Sequence, residues 1–180
     1  MGYNSIVLSG TPVSGKSTLA KRLATHYEME RFSLGDLWRA RYAKEGREGE
    51  SFEAFYGRHP AEESRRMNDE AKRMFENGNY VGESRIISYL DPEKCLRIFV
   101  TADLEVRAER ARGRDDYKNI DIAQVIRILK RREDDEARVS VELYGIDYRD
   151  PSTFELKIDT GAMSVDEEVA LVRSLFDLKR

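Results

Sequence analysis

The sequence predicts an α/β fold of three layers, with a five-stranded parallel sheet between two layers of helices. Two observations support this prediction. Short apolar segments typical of strands alternate with longer amphipathic segments typical of helices along the 180 residues, a pattern of parallel strands joined by right-handed crossovers. The segments 6–8 and 96–100 are almost continuously apolar, as in strands that are covered on both faces. The length predicts a single domain.

Each element follows from a local pattern, in chain order. The predicted strands are residues 3–9, 30–33, 80–81, 96–100 and 155–159. The predicted helices are residues 15–27, 37–43, 61–76, 103–111 and 120–142, with one helical turn at 52–56. Ser164 and Glu167 have the spacing of a capping box, which predicts the start of a last helix. Residues 44–51, 112–119 and 144–154 are predicted to be loops or irregular.

The pattern G-x-x-x-x-G-K-S lies between the first predicted strand and the first predicted helix. Gly10 and Gly15 allow a tight turn whose N–H groups point inward, and the helix start adds its positive dipole end. Lys16 would bind β- and γ-phosphates, and Ser17 would place its hydroxyl on magnesium. The motif therefore predicts a nucleoside triphosphate site formed by Gly10, Thr11, Pro12, Val13, Ser14, Gly15, Lys16, Ser17 and Thr18.

Composition narrows the class of partner. The formal net charge of −3 and the lack of a basic, aromatic stretch argue against a nucleic-acid partner. No apolar segment is long enough to cross a bilayer and no leader pattern precedes the first strand, so we expect a cytoplasmic protein without a membrane partner. Cys95, at the start of an apolar segment, is expected to be a buried structural thiol.

A phosphate loop alone fits a kinase, a GTPase, a motor or a transporter ATPase. The sequence lacks the Asn-Lys-x-Asp motif with which GTPases read their base, and motor and transporter ATPases are usually larger. Arginines instead lie at the ends of several elements, as two phosphorylated substrates meeting face to face would require. These observations favour a kinase.

Two segments are similar to those of nucleoside monophosphate kinases. Residues 33–39, Ser-Leu-Gly-Asp-Leu-Trp-Arg, resemble the segment after the second strand of that family, and residues 82–85, Gly-Glu-Ser-Arg, resemble the segment after the third. Residues 104–110, 131–138, 144–147 and 158–160 resemble segments of the short archaeal-type cytidylate kinases. The resemblance extends from the first strand to the last helix. It implies a P-loop fold with a small helical lid.

The resemblance also implies a role for each matching residue. ATP would be bound by the phosphate loop together with Arg107 and Arg110, and Arg112 and Arg114 would add further lid contacts. Magnesium would be bound by Ser17 and, through water, by Glu83. The acceptor would be bound by Asp36, Arg39, Arg85, Arg131, Asp135 and Arg138. Of these, Lys16, Arg85, Arg131 and Arg138 would act in catalysis.

The resemblance implies a monomeric kinase that uses ATP and Mg²⁺ to phosphorylate a nucleoside monophosphate, CMP or dCMP in the first place. Residues 1–180 would form a single domain with its core at 1–35, 78–105 and 155–180, an acceptor-binding segment at about 36–77 and a lid at about 107–138. Val13 and Ser84 stand where these kinases usually have glycine. An acceptor such as AMP, UMP or a small metabolite therefore stays open, as does a non-catalytic nucleotide-binding protein of the same fold.

Overall fold

A computed structural model of the chain describes residues 2–50, 54–55, 58–59, 61–85, 89–114 and 117–179. In these ranges one sheet of five strands runs in the order β2-β3-β1-β4-β5, with every neighbouring pair parallel. The strands are β1 Ser5–Gly10, β2 Glu30–Ser33, β3 Tyr80–Glu83, β4 Cys95–Thr101 and β5 Leu156–Asp159. The predicted fold class and all five predicted strands are confirmed.

Six helices and one 3₁₀ turn join these strands within the described ranges. They are α1 Lys16–Tyr27, α2 Leu34–Glu45, α3 Ala61–Asn77, α4 Leu104–Arg112, α5 Ile122–Tyr144, the 3₁₀ turn Pro151–Thr153 and α6 Val165–Phe176. Of the helical turn predicted at 52–56, only residues 54–55 are described, and they are helical. None of the described helices combines the length and the apolar composition needed to cross a lipid bilayer.

The bounds of α2 and α5 differ from the prediction, and in α5 the capping residues set the bounds. Residues 44–45 continue α2 and are not part of the loop. The α5 helix begins at Ile122 because the Asp121 carboxylate accepts hydrogen bonds from the backbone N–H groups of Ala123 and Gln124. It ends at Gly145, which adopts φ +73°. The capping box of Ser164 and Glu167 at the start of α6 is confirmed.

The central strand β1 packs on both of its faces, which produces the three layers. Its six residues are all buried. Ile6 and Leu8 pack with α1 and α6 on one face, whereas Val7 packs with Ala71 and Phe75 of α3 on the other. This alternation explains the continuous apolar run in the sequence.

Cys95 begins β4 and is buried. Burial raises the pKa of its thiol to about 12. A protonated, inaccessible thiol is a poor nucleophile, so its role is structural, as the sequence predicts.

The carboxyl edge of the sheet is where the site is assembled. Strand order reverses at β1, which lies between β3 and β4, and ligands of open α/β sheets bind at such a switch point. The phosphate loop follows β1 at this edge. The parallel register of β1 and β3 pairs Leu8 with Glu83, which brings Glu83 next to the loop.

Candidate active site

The phosphate loop has a backbone that requires glycine at its first position. Gly10 has φ +139° and Gly15 has φ +91°, a region that side chains disfavour. A Cβ atom on Gly10 would lie 1.8 Å from the carbonyl oxygen of Val100 in the neighbouring strand β4. The loop therefore lies directly against the sheet edge, with its turn set by these two glycines.

Val13 adopts φ +60°, the left-handed conformation that the glycine of similar kinases would adopt freely. For a residue with a side chain this costs about 1–2 kcal/mol. The side chain is buried with Ala108, Val125 and Leu129 of α4 and α5. Burial of a valine contributes about 1.5–3 kcal/mol, which offsets the strain. The valine side chain at this position thus packs the phosphate loop against α4 and α5.

Lys16 lies folded into the loop. Its Nζ donates to the carbonyl oxygens of Gly10 at 3.0 Å and Thr11 at 2.6 Å, and to Ser14 Oγ at 3.2 Å. Burial, reinforced by the nearby Arg85 guanidinium, holds the pKa of Lys16 well below its usual value. Phosphate oxygens are stronger acceptors than these groups for an ammonium ion, so the lysine is placed to exchange them for a bound triphosphate.

Ser17 and Glu83 touch each other beside the loop. Ser17 Oγ donates to Glu83 Oε2 at 2.6 Å, and Glu83 is only 7% exposed. Protein sites usually hold Mg²⁺ through one or two oxygen ligands and leave the other positions to water and phosphate. Among the described residues no group of three or more His, Cys, Asp or Glu side chains forms a metal cage. The hydroxyl and carboxylate together suit magnesium bound in this way.

Arg31, which the sequence pattern did not predict, contacts two of the predicted site residues. Its Nε donates to Glu83 Oε1 at 2.9 Å, and its Nη2 donates to the same oxygen and to Asp36 Oδ2 at 3.0 Å. Asp36 also accepts from Arg39. Burial acts against ionisation of Asp36, but hydrogen bonds from Arg39 and Arg31 hold the pKa of its carboxyl below the usual value. The chain Ser17–Glu83–Arg31–Asp36–Arg39 thus joins the loop to α2.

Arg85 is held by a carboxylate of α5. Its Nε and Nη2 lie 3.0 and 2.8 Å from Glu136 Oε2, and its guanidinium stacks 5.3 Å from the ring centre of Tyr148. Arg132 Nε donates to the other Glu136 oxygen at 3.1 Å. Burial alone would raise the pKa of Glu136, but Arg85 and Arg132 hold it below the usual value. Two cations around one carboxylate leave a net positive charge near Lys16. Ser84, which precedes Arg85, is buried.

The structure places Arg131, Asp135 and Arg138 on the outer face of α5. Their side chains are 87%, 53% and 60% exposed. Their ion pairs run along the helix surface, from Arg131 to Asp135 at 3.8 Å and from Arg138 to Asp135 and Glu142. At about 100° per residue, all three lie roughly 180–240° around the helix from the buried Leu129. They share a face, as their spacing predicts, but it is the face turned to solvent.

The same spacing begins again one residue later on the inner face of α5. Arg132, Glu136 and Val139 are half-buried, and the first two contact the Arg85 cluster. Arg132 and Glu136 were not among the predicted site residues. The sequence feature that could have indicated them is the adjacent pair Arg131 and Arg132. Spacing does not show which of the two arginines faces inward, because the packing of the helix decides that.

Arg107 is a buried residue of α4 that contacts the phosphate loop. It is 5% exposed, and its guanidinium bonds to the carbonyl oxygens of Ala102 at 2.9 Å and Pro12 at 3.4 Å and to Glu133 Oε2 at 3.0 Å. These contacts tie the phosphate loop to α4 and α5. The guanidinium of Arg107 is thereby held against the backbone of the phosphate loop.

Arg110 and Arg114 line a cavity beside the loop, and Arg110 is anchored there. Arg110 donates to Thr160 Oγ1 at 2.7 Å and to the Thr160 carbonyl oxygen at 2.8 Å, while Thr160 Oγ1 donates to the Ser14 carbonyl at 2.8 Å. Arg112 pairs with the exposed Glu109 on the surface of α4. The cavity has a volume of about 410 Å³ and is lined by Val13, Gly15, Thr18, Arg110, Arg114, Thr160, Met163, Ser164, Val165 and Glu168.

Comparison with known proteins identifies the family of the chain. Residues 6–139 match a protein family described as AAA domain. The cytidylate kinase of Methanopyrus kandleri is 32% identical over 185 aligned positions that cover 96% of this chain and 92% of the relative. The cytidylate kinase of Desulfurococcus amylolyticus is 33% identical over 175 positions that cover 96% and 92%.

A solved structure shows the same fold at low sequence identity. The shikimate kinase of Bacteroides thetaiotaomicron superposes with a TM-score of 0.63 at 15% identity, over 96% of this chain and 98% of that one. That likeness concerns the fold alone. The family match spans β1 to α5, and the relatives match nearly the whole chain over nearly their whole length. The chain therefore belongs to the AAA-domain family of P-loop proteins and, within it, to the cytidylate kinase family.

Proposed function

We propose that the protein transfers the γ-phosphoryl group of ATP to CMP or dCMP, giving ADP and CDP or dCDP. The supporting observation is the convergence of Lys16, the Ser17–Glu83 pair and Arg85 at the carboxyl edge of the sheet, in a chain of the cytidylate kinase family. Lys16 and Arg85 are close enough to interact electrostatically. Cations on both sides of a transferred phosphoryl group are what this reaction needs.

The donor side follows from the loop. Its N–H groups and Lys16 would bind the β- and γ-phosphates. Ser17 would bind Mg²⁺ directly, and Glu83 would hold it through water. When bound, magnesium neutralises charge on the β- and γ-phosphate oxygens. An oxygen of the acceptor's phosphate attacks the γ-phosphorus, and the bond from that phosphorus to the β–γ bridging oxygen breaks in line. The acceptor phosphate is already ionised, so no general base is required.

The acceptor side would be formed by Arg39, Asp36 and Arg85. Arg31 joins Asp36 to Glu83, and Asp36 pairs with Arg39, which supports the proposal that the acceptor phosphate lies between α2 and the Arg85 cluster. Arg132 extends that cluster. For Arg131, Asp135 and Arg138, the role stays a prediction, because it requires the acceptor to reach the outer face of α5.

The regional roles are part of the same proposal. Residues 36–77 would bind the acceptor and residues 107–138 would close as a lid over the phosphates, excluding water. We infer that the protein works as a cytoplasmic monomer in pyrimidine nucleotide metabolism, with nucleotides as partners and no nucleic acid.

The experiment that tests this function is an acceptor panel. Mg-ATP is incubated with CMP, dCMP, UMP, AMP or GMP, and ADP release and product identity are followed together by chromatography. We expect the highest kcat/KM with CMP or dCMP. Efficient turnover of another monophosphate with none of CMP would overturn the acceptor assignment, and absence of turnover with all five would overturn the kinase assignment for nucleotides.

A further inference from the structure

The cavity beside the phosphate loop contains a buried acid that no part of the proposed reaction uses. Glu168 lies in the first turn of α6 and is 3% exposed. It lines the cavity together with Arg110 and the apolar side chains of Met163 and Val165. A charged side chain is almost never buried to this degree unless it has a partner.

No such partner of Glu168 lies in the part of the chain that the structure describes. Among the described residues its carboxylate takes part in no hydrogen bond or ion pair, and Arg110 is the charged group whose field reaches it. Burial raises the pKa of the Glu168 carboxyl, and Arg110 opposes this only in part. Because the Glu168 side chain lines the cavity, a ligand there that donates a hydrogen bond to its carboxylate would offset part of the cost of burying that carboxylate.

The cavity has the surroundings of a nucleobase site. Part of the cavity wall is formed by Gly15 of the phosphate loop and Thr18 in the first turn of α1. The cavity therefore continues directly from the place where phosphates would bind. Its volume of about 410 Å³ is within the range of small-ligand pockets. The planar guanidinium of Arg110, fixed by Thr160, offers a surface on which a base can stack.

An ionised carboxylate can only accept hydrogen bonds, so it selects for a base edge that carries N–H groups. We propose that Glu168 accepts a hydrogen bond from the exocyclic amino group of the donor's adenine and thereby sets the specificity for the donor base. This inference rests on the proposed function, which places ATP in the loop. It adds a specificity-determining residue on α6, outside the predicted site.

The test compares two nucleotides that differ by the amino group alone. The dissociation constants of ADP and of purine riboside 5′-diphosphate, which lacks that group, are measured by titration calorimetry with the full chain. For the native protein we expect ADP to bind about 10- to 100-fold more tightly, the ratio for one hydrogen bond to a charged group. Glu168→Leu should reduce the ratio to within about threefold, and Glu168→Gln should give an intermediate value.

A matched control lies two residues earlier. Asp166→Asn removes an acid from the same helical turn, but Asp166 is exposed and pairs with Arg22 outside the cavity, so the native ratio should persist. Three results would overturn the inference: a native ratio near one, an unchanged ratio in both Glu168 variants, or tighter binding of GDP than of ADP. If Glu168→Leu fails to fold, Glu168→Gln decides.

The binding measurement needs neither acceptor nor turnover. A protein that fails to phosphorylate CMP but keeps the ADP preference would refute the proposed reaction and leave the role of Glu168 intact. A protein that phosphorylates CMP but does not prefer ADP would support the proposed reaction and refute the role of Glu168.

Discussion

The Ser17 hydroxyl donates a 2.6 Å hydrogen bond to Glu83 Oε2, although the two residues are 66 positions apart in the sequence. The other oxygen of Glu83 is held by Arg31. The carboxylate is therefore oriented from both sides by groups of the protein itself, which would preorganise it for the metal role proposed above.

Replacing Glu83 by glutamine should impair the metal-dependent step. The amide keeps the shape but loses the charge, so we expect kcat to fall about 10²–10³-fold and the half-saturating Mg²⁺ concentration to rise. The measurement is turnover against Mg²⁺ concentration at saturating nucleotides. Glu105→Gln removes an exposed acid from α4 and is the control. A Glu83 variant with an unchanged magnesium dependence would contradict a role for this carboxylate at the metal.

Replacing Arg31 by methionine should affect the acceptor more than the donor. Arg31 supplies hydrogen bonds to Glu83 and Asp36, and bonds between charged groups contribute about 1.5–3 kcal/mol. We expect the KM for CMP to rise about tenfold or more with the KM for ATP within about threefold of native. Arg31→Lys, which keeps one charge, should recover part of the loss. An unchanged KM for CMP would show that Arg31 has only a structural role.

Arg131 and Arg132 form a matched pair that decides which face of α5 meets the acceptor. Arg131→Gln changes a side chain that is 87% exposed, whereas Arg132→Gln changes one that contacts Glu136. We expect Arg132→Gln to raise the KM for CMP about tenfold and Arg131→Gln to leave it nearly unchanged, because only the first supports Arg85. The opposite order in steady-state kinetics would support the acceptor role predicted from the sequence for Arg131, Asp135 and Arg138.

Replacing Glu168 by leucine should stabilise the protein. Removal of an unpaired buried acid should gain about 1–2 kcal/mol, which raises Tm by about 2–8 °C in a chain of this length. Because burial raises the pKa of Glu168, the folded state binds its proton more tightly than the unfolded state, and its penalty grows as pH rises. The gain should therefore be present at neutral pH and vanish below about pH 4, where both states are protonated.

Thermal unfolding of Glu168→Leu and the native protein at the two pH values checks this prediction, with Asp166→Asn as control. A stability difference that does not change with pH would show that the charge of Glu168 is not its source.

The fold could be predicted because its signals are local. Continuous apolar strands, helical spacing and the capping box of Ser164 and Glu167 each depend on a few adjacent residues. The ends of α5 were less predictable, since Asp121 and Gly145 decide them through hydrogen bonds and a positive φ. The phosphate loop could be predicted for the same reason, because the residues of its motif are contiguous in the sequence.

The rest of the site depends on packing that sequence spacing does not specify. Arg31 reaches Glu83 because β2 pairs with β3, so its partner is far away in the chain. The spacing of Arg131, Asp135 and Arg138 established a shared face, but the core contacts of Leu129 decided that this face is outward. Glu168 is an acid on an amphipathic helix, and only the cavity beside it distinguishes it from its exposed neighbours.

The most direct measurement of the central claim follows the phosphoryl group itself. ATP labelled at the γ-phosphate is incubated with Mg²⁺, CMP and the native protein, with Lys16→Met as the matched control. We expect the label to appear in CDP, at a rate at least about 10²-fold lower in the variant, because Lys16 neutralises the transferred group. Label released as inorganic phosphate without labelled CDP, or equal transfer by Lys16→Met, would contradict direct γ-phosphoryl transfer at this site.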